Sequence, residues 1–198
     1  QTQVHLGFQP KYGHAHNDPL NLTLYALDQE LLPDIGYSHN TFYRWFTLST
    51  MGHNTVVVDS SNAQTNMESR HGGNVERFIP DSGSFQVMRA SYESAYEVTK
   101  EYSREPWFVP FADGNGEQGY VLDLFRVTGG ERHEYTLQGD ANSDAHWETD
   151  LPLTEYGPYL LPPGTNVVEP ISNSDSGSAE GHYPGYIYVR DVQQAQLN

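Results

Sequence analysis

No stretch of this chain carries an apolar period of 3.6 over more than three turns. Short runs rich in Val, Tyr, Phe and Thr instead recur at roughly ten-residue intervals, separated by Gly, Pro, Asn and Asp. Such a chain cannot bury itself as a helical bundle. Its apolar faces are narrow and flat, so they are covered only by stacking one sheet on another, which predicts an all-β, layered antiparallel β-sandwich. The composition agrees: there are 14 Tyr and 8 Phe among 198 residues, with the helix formers Ala, Leu, Lys and Glu thin. That length suits a single domain, 1–198, with a less regular tail from about 140.

In chain order, Val4-His5-Leu6 is a short extended lead-in, and Leu20 to Leu27 and Glu30 to Pro33 read as strands, the second delivering Asp34. Tyr37 to Arg44 is a polar, aromatic loop, Phe46 to Met51 is ambiguous, and Thr55 to Asp59 is a β-branched strand. Ser60 to Gly73 reads as a surface loop, followed by strands at Val75 to Ile79, Phe85 to Ala90 and Tyr96 to Tyr102, with Glu105 to Pro110 as a further pairing piece. Ala112 to Gly116 is a turn. Tyr120 to Val127, Gly129-Gly130 and His133 to Gln138 read as a hairpin. Leu151 to Pro163 is broken by prolines, Asn173 to Gly181 reads as a flexible loop, and Tyr186 to Val192 as a last strand.

Charge narrows the choice of partner. With 10 Lys and Arg against 26 Asp and Glu, the net charge is −16. That excludes ordinary nucleic-acid binding, which needs clustered cations, and disfavours an anionic membrane surface. An anionic substrate stays possible, because a few arginines or a metal can outweigh the global field inside one cleft. There is no cysteine, hence no disulfide or thiolate chemistry. A periplasmic or secreted bacterial location is expected. The chain begins at Gln1 without an initiator Met and is expected to be a processed or excised piece of a longer protein.

The chemistry concentrates between Gly13 and Asp59. His14 and His16 flank Ala15, so an extended backbone turns both imidazoles to one side. Asp34 stands ahead of Gly36, and His53-Asn54 leads into three valines. Imidazoles from two segments and a carboxylate from a third form a ligand pool suited to zinc, which takes nitrogen and oxygen donors and can keep a position open. Plainer roles are equally natural: ordinary strand histidines, a turn-capping Asp34, and an Asn54 that satisfies local backbone groups. His39, His71, His133, His146 and His182 show no convergent partner and are read as structural. Asn21-Leu22-Thr23 matches a glycosylation acceptor and is given no role.

GHAHND at Gly13 to Asp18, the acid-x-Gly at Asp34 to Gly36, STMGHNTVVVD at Ser49 to Asp59 and, more weakly, Tyr120 to Gly139 occur in an order that resembles the heparinase II/III-like polysaccharide lyases. That group includes heparinase II, heparinase III and several oligoalginate lyases. The resemblance implies a carboxy-terminal β-sheet domain that works with an amino-terminal (α/α) toroid. It implies cleavage beside a uronic acid, in alginate or a glycosaminoglycan, by β-elimination. Carried over by position, His14 resembles a catalytic histidine, and His16, Asp34 and His53 resemble ligands of a zinc that scaffolds the site. Tyr37 or Tyr43, with Tyr37 preferred, resembles the site tyrosine. Asn54 or Asp18 would support the ligating imidazoles. Arg44, Arg70 and Arg77 are candidates for uronate contacts, since guanidinium pairs bidentately with carboxylate. The resemblance also implies that further catalytic residues lie on the toroid and that this chain alone is inactive. Two rival readings remain: a non-catalytic carbohydrate-binding β-sandwich that keeps the metal for stability, and a structural envelope or matrix module.

Overall fold

The structure, a computed structural model, describes residues 1–10, 14–36, 38, 43–64, 72–112, 118–142, 144, 146, 148–172 and 175–197. Among the described residues thirteen strands carry the fold. β1 (Gln3–Leu6), β2 (Leu22–Ala26) and β3 (Gln29–Leu32) are followed by a five-residue helix α1 (Arg44–Leu48), a 3-10 turn at Thr50–Gly52 and β4 (Val56–Val58). Next come β5 (Asn74–Ile79), β6 (Gln86–Ser91), β7 (Thr99–Pro110), β8 (Gly119–Gly129) and β9 (His133–Tyr135). The last quarter adds β10 (Thr154–Tyr159), β11 (Val167–Val168), β12 (Ser178–Ala179), a 3-10 turn at Tyr186–Tyr188 and β13 (Arg190–Gln194). All strand pairs are antiparallel. The sheets are β1-β2-β3, β5-β6-β7-β8 and three two-stranded ribbons, β4-β9, β10-β13 and β11-β12. The all-β, layered antiparallel architecture is therefore the one the sequence calls for.

β4 is the partition between layers. Its three valines are all buried, and strand alternation sends them to two different cores. Val56 and Val58 join Leu6, Leu20, Leu22, Tyr92 and Tyr102 between the large sheets. Val57 joins Met51, Leu161, Tyr186 and Ile187, the core that docks the tail. Burying each such side chain contributes about 1.5–3 kcal/mol. A three-residue strand thus ties both halves together.

Several local expectations change. Tyr96 to Tyr102 and Glu105 to Pro110 are not two pieces: β7 runs unbroken for 12 residues, because β8 pairs with it from Thr99↔Gly129 to Pro110↔Gly119. Pro106, which lacks an N–H, sits where the β6–β7 register skips from Val87↔Trp107 to Ala90↔Arg104. The predicted hairpin of Tyr120 to Val127 with His133 to Gln138 does not form. β9 crosses to pair with β4, Val56↔Tyr135 to Val58↔His133. Gly129 and Gly130, at φ +104° and +77°, take the chain out of its sheet. The Asp59 carboxylate then catches the Glu131 and Arg132 N–H groups at 2.7 and 2.9 Å, which holds its pKa below the usual carboxylate value.

The ambiguous Phe46 to Met51 lies across α1 and the following 3-10 turn. Tyr186 to Tyr188 is a 3-10 turn and not strand, because Tyr186 and Ile187 are consecutive and both enter the second core, which alternation forbids to a strand. β10 and β12 fall inside Leu151 to Pro163 and Asn173 to Gly181, neither of which reads as strand by sequence. The Ala112 to Gly116 turn lies outside the described residues beyond Ala112, but Phe111 N–H still reaches Gln118 O at 2.9 Å across its base.

Burial of phenols gives this fold an alkaline limit. Desolvation raises Tyr96 to about 12 and pushes Tyr102 and Tyr186 further up, against an ordinary value of 10.0. The native state therefore holds protons that the unfolded chain releases, so this stability is complete below pH 10.0 and is lost as pH rises through about 12. Melting temperatures followed against pH should fall above that lower bound, with part of the tyrosinate absorbance appearing only on unfolding. A flat melting curve with all phenols titrating together would contradict it.

Candidate metal centre

The His14–Asn17 segment is clasped to the α1 region. Asn17 donates to Leu48 O through its N–H at 3.1 Å and its Nδ2 at 3.0 Å, and Thr50 Oγ1 donates to Asn17 O at 2.6 Å. Asp34 leaves β3 through Pro33. Its Oδ1 accepts Gly36 N–H at 2.8 Å, the turn-capping job expected of Asp, with Gly36 at φ +80°. Its Oδ2 is left for other work and accepts Asn21 Nδ2 at 2.9 Å. His53 follows the 3-10 turn and is 1% exposed. Gly52 permits that placement, because a Cβ there would stand 2.4 Å from Phe46 O.

His53 Nδ1 lies 2.8 Å from Ser49 O. A carbonyl only accepts, so this nitrogen carries the proton and the neutral ring presents an unprotonated Nε2. That Nε2 is 2.9 Å from His16 Nδ1 and 3.7 Å from Asp34 Oδ2. The three ligand atoms lie within 4.8 Å of one another. Donors around a tetrahedral zinc stand roughly 3.3 Å apart; the two separations from His53 Nε2 bracket that value, and the His16–Asp34 pair lies within the wider 4.8 Å. Two nitrogens and one carboxylate oxygen fit such an ion and leave its fourth position open.

Residues 3–103, just over half of the chain, match the family model described as heparinase II/III-like, C-terminal. The chain belongs to the heparinase II/III-like family. Two solved structures share the fold of this heparinase-like chain: heparan sulfate lyase HepC from Pedobacter heparinus and a mutant of it, with TM-scores of 0.52 and 0.51 at 18% identity. The alignments cover 65% of this chain and 19% of theirs, so it spans about a fifth of the length of those lyases. No curated protein matches it in sequence.

The other candidate residues of the heparinase-like chain are placed as follows. His14 is exposed and stands outside the converging triad. Tyr37 and Arg70 lie outside the described residues. Tyr43 is 64% exposed, its ring 6.2 Å from that of Tyr188. Arg44 opens α1, and its guanidinium sits 5.6 Å from the Trp45 ring centroid. Arg77 is on β5, paired at 4.0 Å with buried Glu105. Asn54 turns its side chain not to an imidazole but to Pro33 O, 2.9 Å, and Gln138 N–H, 2.6 Å. Asp18 O accepts Asn21 N–H at 3.0 Å.

Three supporting residues escape a reading of the sequence: Asn21, Ser49 and Arg104. Asn21 bridges two ligand segments, giving Nδ2 to Asp34 and accepting Asn54 N–H on Oδ1 at 3.0 Å. Arg104 is fully buried. It grips both Asp123 oxygens at 2.9 Å, Tyr135 Oη at 2.8 Å and Leu20 O at 2.7 Å, and it also donates to Asn54 O. Its two carbonyl partners are the neighbours of Asn21 and His53 in the chain. The available signal is a lone Arg and a lone Asp in facing strands, offset diagonally across the Arg104↔Phe125 and Pro106↔Asp123 pairs.

Arg104→Met leaves Asp123 uncompensated and should lower unfolding stability by about 3–5 kcal/mol, with the double variant carrying Asp123→Leu recovering part of it. Urea denaturation of the cycle measures this. A loss under about 1 kcal/mol would mean that the pair carries little of the local structure.

Proposed function

We propose that this chain is the β-sheet part of a polysaccharide lyase that cleaves uronate-containing glycans of the alginate or glycosaminoglycan type by β-elimination, around a zinc held by His16, Asp34 and His53. One observation carries the reading: three separate segments deliver those ligand atoms to within 4.8 Å of each other, with the His53 tautomer set by Ser49 O. Family membership supplies the reaction class.

When bound, zinc would lock two imidazoles and a carboxylate into a rigid floor for the substrate, a scaffold and not an acid acting on the sugar. The chemistry falls to the protein. A base takes the proton from C5 of the uronate, that electron pair forms the C4=C5 double bond, and the C4–O bond breaks. The departing oxygen then takes a proton. His14, an exposed imidazole two residues from His16, is assigned as base, and the phenol of Tyr37, with Tyr43 as the rival, as proton donor. Arg44 and Arg70 are assigned to the uronate carboxylate, whose charge grows as C5 is deprotonated. A helical toroid completes the cleft, and the polymer is met in the periplasm or after secretion.

Purified chain should hold about one zinc, raising its melting temperature, and His16→Ala should abolish both the metal and the shift. In the protein expressed from its own gene, His14→Ala should lose the ultraviolet absorbance of unsaturated uronate while keeping zinc. A metal-free wild type would remove the ligand assignment. Saccharide binding without that absorbance would replace the lyase by a non-catalytic carbohydrate-binding module.

A further inference from the structure

A second cavity, of about 580 Å³, opens against the same His14–Asn17 segment. Ala15 and Asn17, which alternate with the two histidines, line it; His16, which points to His53, does not. Its walls come from α1 through Trp45, from the loop after β4 through Asn62, and from the tail through His182 and Tyr183. Among the described lining residues there is no Asp, Glu, Lys or Arg, on a chain of net charge −16.

We propose that this cleft is a binding subsite for uncharged pyranose units of a glycan. The proposal takes its ligand class from the polysaccharide reading but uses none of the metal-site residues. The volume is that of a ligand pocket. Indole and phenol rings offer flat apolar faces to the C–H face of a pyranose, while amide, hydroxyl and imidazole groups meet its hydroxyls.

The donors are available. Asn62 spends its Oδ1 on Thr50 N–H at 2.9 Å, so its NH2 is the free end of that amide. The Trp45 indole N–H is buried without an acceptor. The tail wall is held firmly: Tyr183 packs edge-on against buried Tyr186 at 5.6 Å, whose hydroxyl is anchored on Glu134. Gly181 and His182 both take positive φ, +94° and +58°, an unfavourable state for His that persists only where the surroundings impose it. A uronate carboxylate here would lose its water and find no guanidinium or ammonium among the described lining residues; Arg44, 5.6 Å from the Trp45 ring centroid, is not one of them. The lining therefore selects neutral sugar over uronate.

Calorimetric titration of the purified chain with cellotetraose and N-acetylchitotetraose, against trigalacturonate, tests this. At least one neutral oligosaccharide should bind, with trigalacturonate weaker by roughly tenfold or more. His182→Ala, at an exposed position, should weaken binding by roughly fivefold or more at unchanged melting temperature, while His16→Ala leaves affinity within about twofold. Asn62→Ala should weaken binding likewise but with a lowered melting temperature, since it also strips the buried Thr50 N–H of its acceptor. No neutral binding, preference for trigalacturonate, or sensitivity to His16→Ala without sensitivity to His182→Ala would each overturn the proposal. A zinc-free chain that binds cellotetraose would sink the metal reading and leave this one standing. A zinc-bearing chain blind to both neutral sugars would do the reverse.

Discussion

The buried guanidinium of Arg104 is the constraint on which the rest of the structure depends. Taking a charge out of water costs several kcal/mol unless each donor finds an acceptor. Here the donors end on Asp123, Tyr135, Leu20 and Asn54, with the plane lying over Phe125 at 5.2 Å. Those partners belong to β8, β9 and the two segments that carry Asn21 and His53. Leu20 has φ +57°, a conformation an ordinary side chain resists. It is pinned from both ends, by its N–H on Gly7 O at 2.8 Å and its carbonyl on Arg104. That pinned corner turns Asn21 inward, and Asn21 in turn holds Asp34.

Support for the His16–Asp34–His53 cluster is therefore polar and buried, with Arg104 of β7 holding the loop residues around it. Asn54 closes the set: its backbone and side chain together contact Asn21, Leu22, Pro33, Arg104 and Gln138. A network of this kind is costly when incomplete and rigid when satisfied. Rigidity is what a ligand set needs, because imidazoles that arrive preoriented lose less entropy on capturing an ion. The net charge of −16 favours a cation and opposes an anion near the surface, and salt screens both effects beyond a Debye length of roughly 8 Å.

Much of this was legible from residues alone, for identifiable reasons. β4 shows in three consecutive valines, and the sandwich shows in repeated β-rich runs divided by turn residues. The grouping of His16, Asp34 and His53 lies in short motifs whose order is local to one quarter of the chain. What stayed hidden depends on contacts between distant pieces. Nothing in Gly129-Gly130 says whether the chain folds back on β8 or crosses to β4; the carboxylate of Asp59, some seventy residues earlier, decides it through Glu131 and Arg132. Arg104 reads as one more charge between two strand pieces until Asp123 is seen beside it. Asn21 reads as half of a glycosylation acceptor, whereas it is 6% exposed and committed on both sides.

The tail shows the same limit most sharply. From about residue 140 its composition carries no period, because its order is borrowed: Leu161, Tyr186 and Ile187 are buried only by lying on Met51 and Val57. Once docked, it sets His182 and Tyr183 across from Trp45 and leaves Ala15 between two environments. Alternation along His14-Ala15-His16-Asn17 then divides the work. His16 meets the imidazole of His53 near the Asp34 carboxylate, while Ala15 and Asn17 line a cleft with Trp45 and Tyr183 among its walls. One short segment therefore serves two surroundings, because neighbouring residues along it send their side chains different ways.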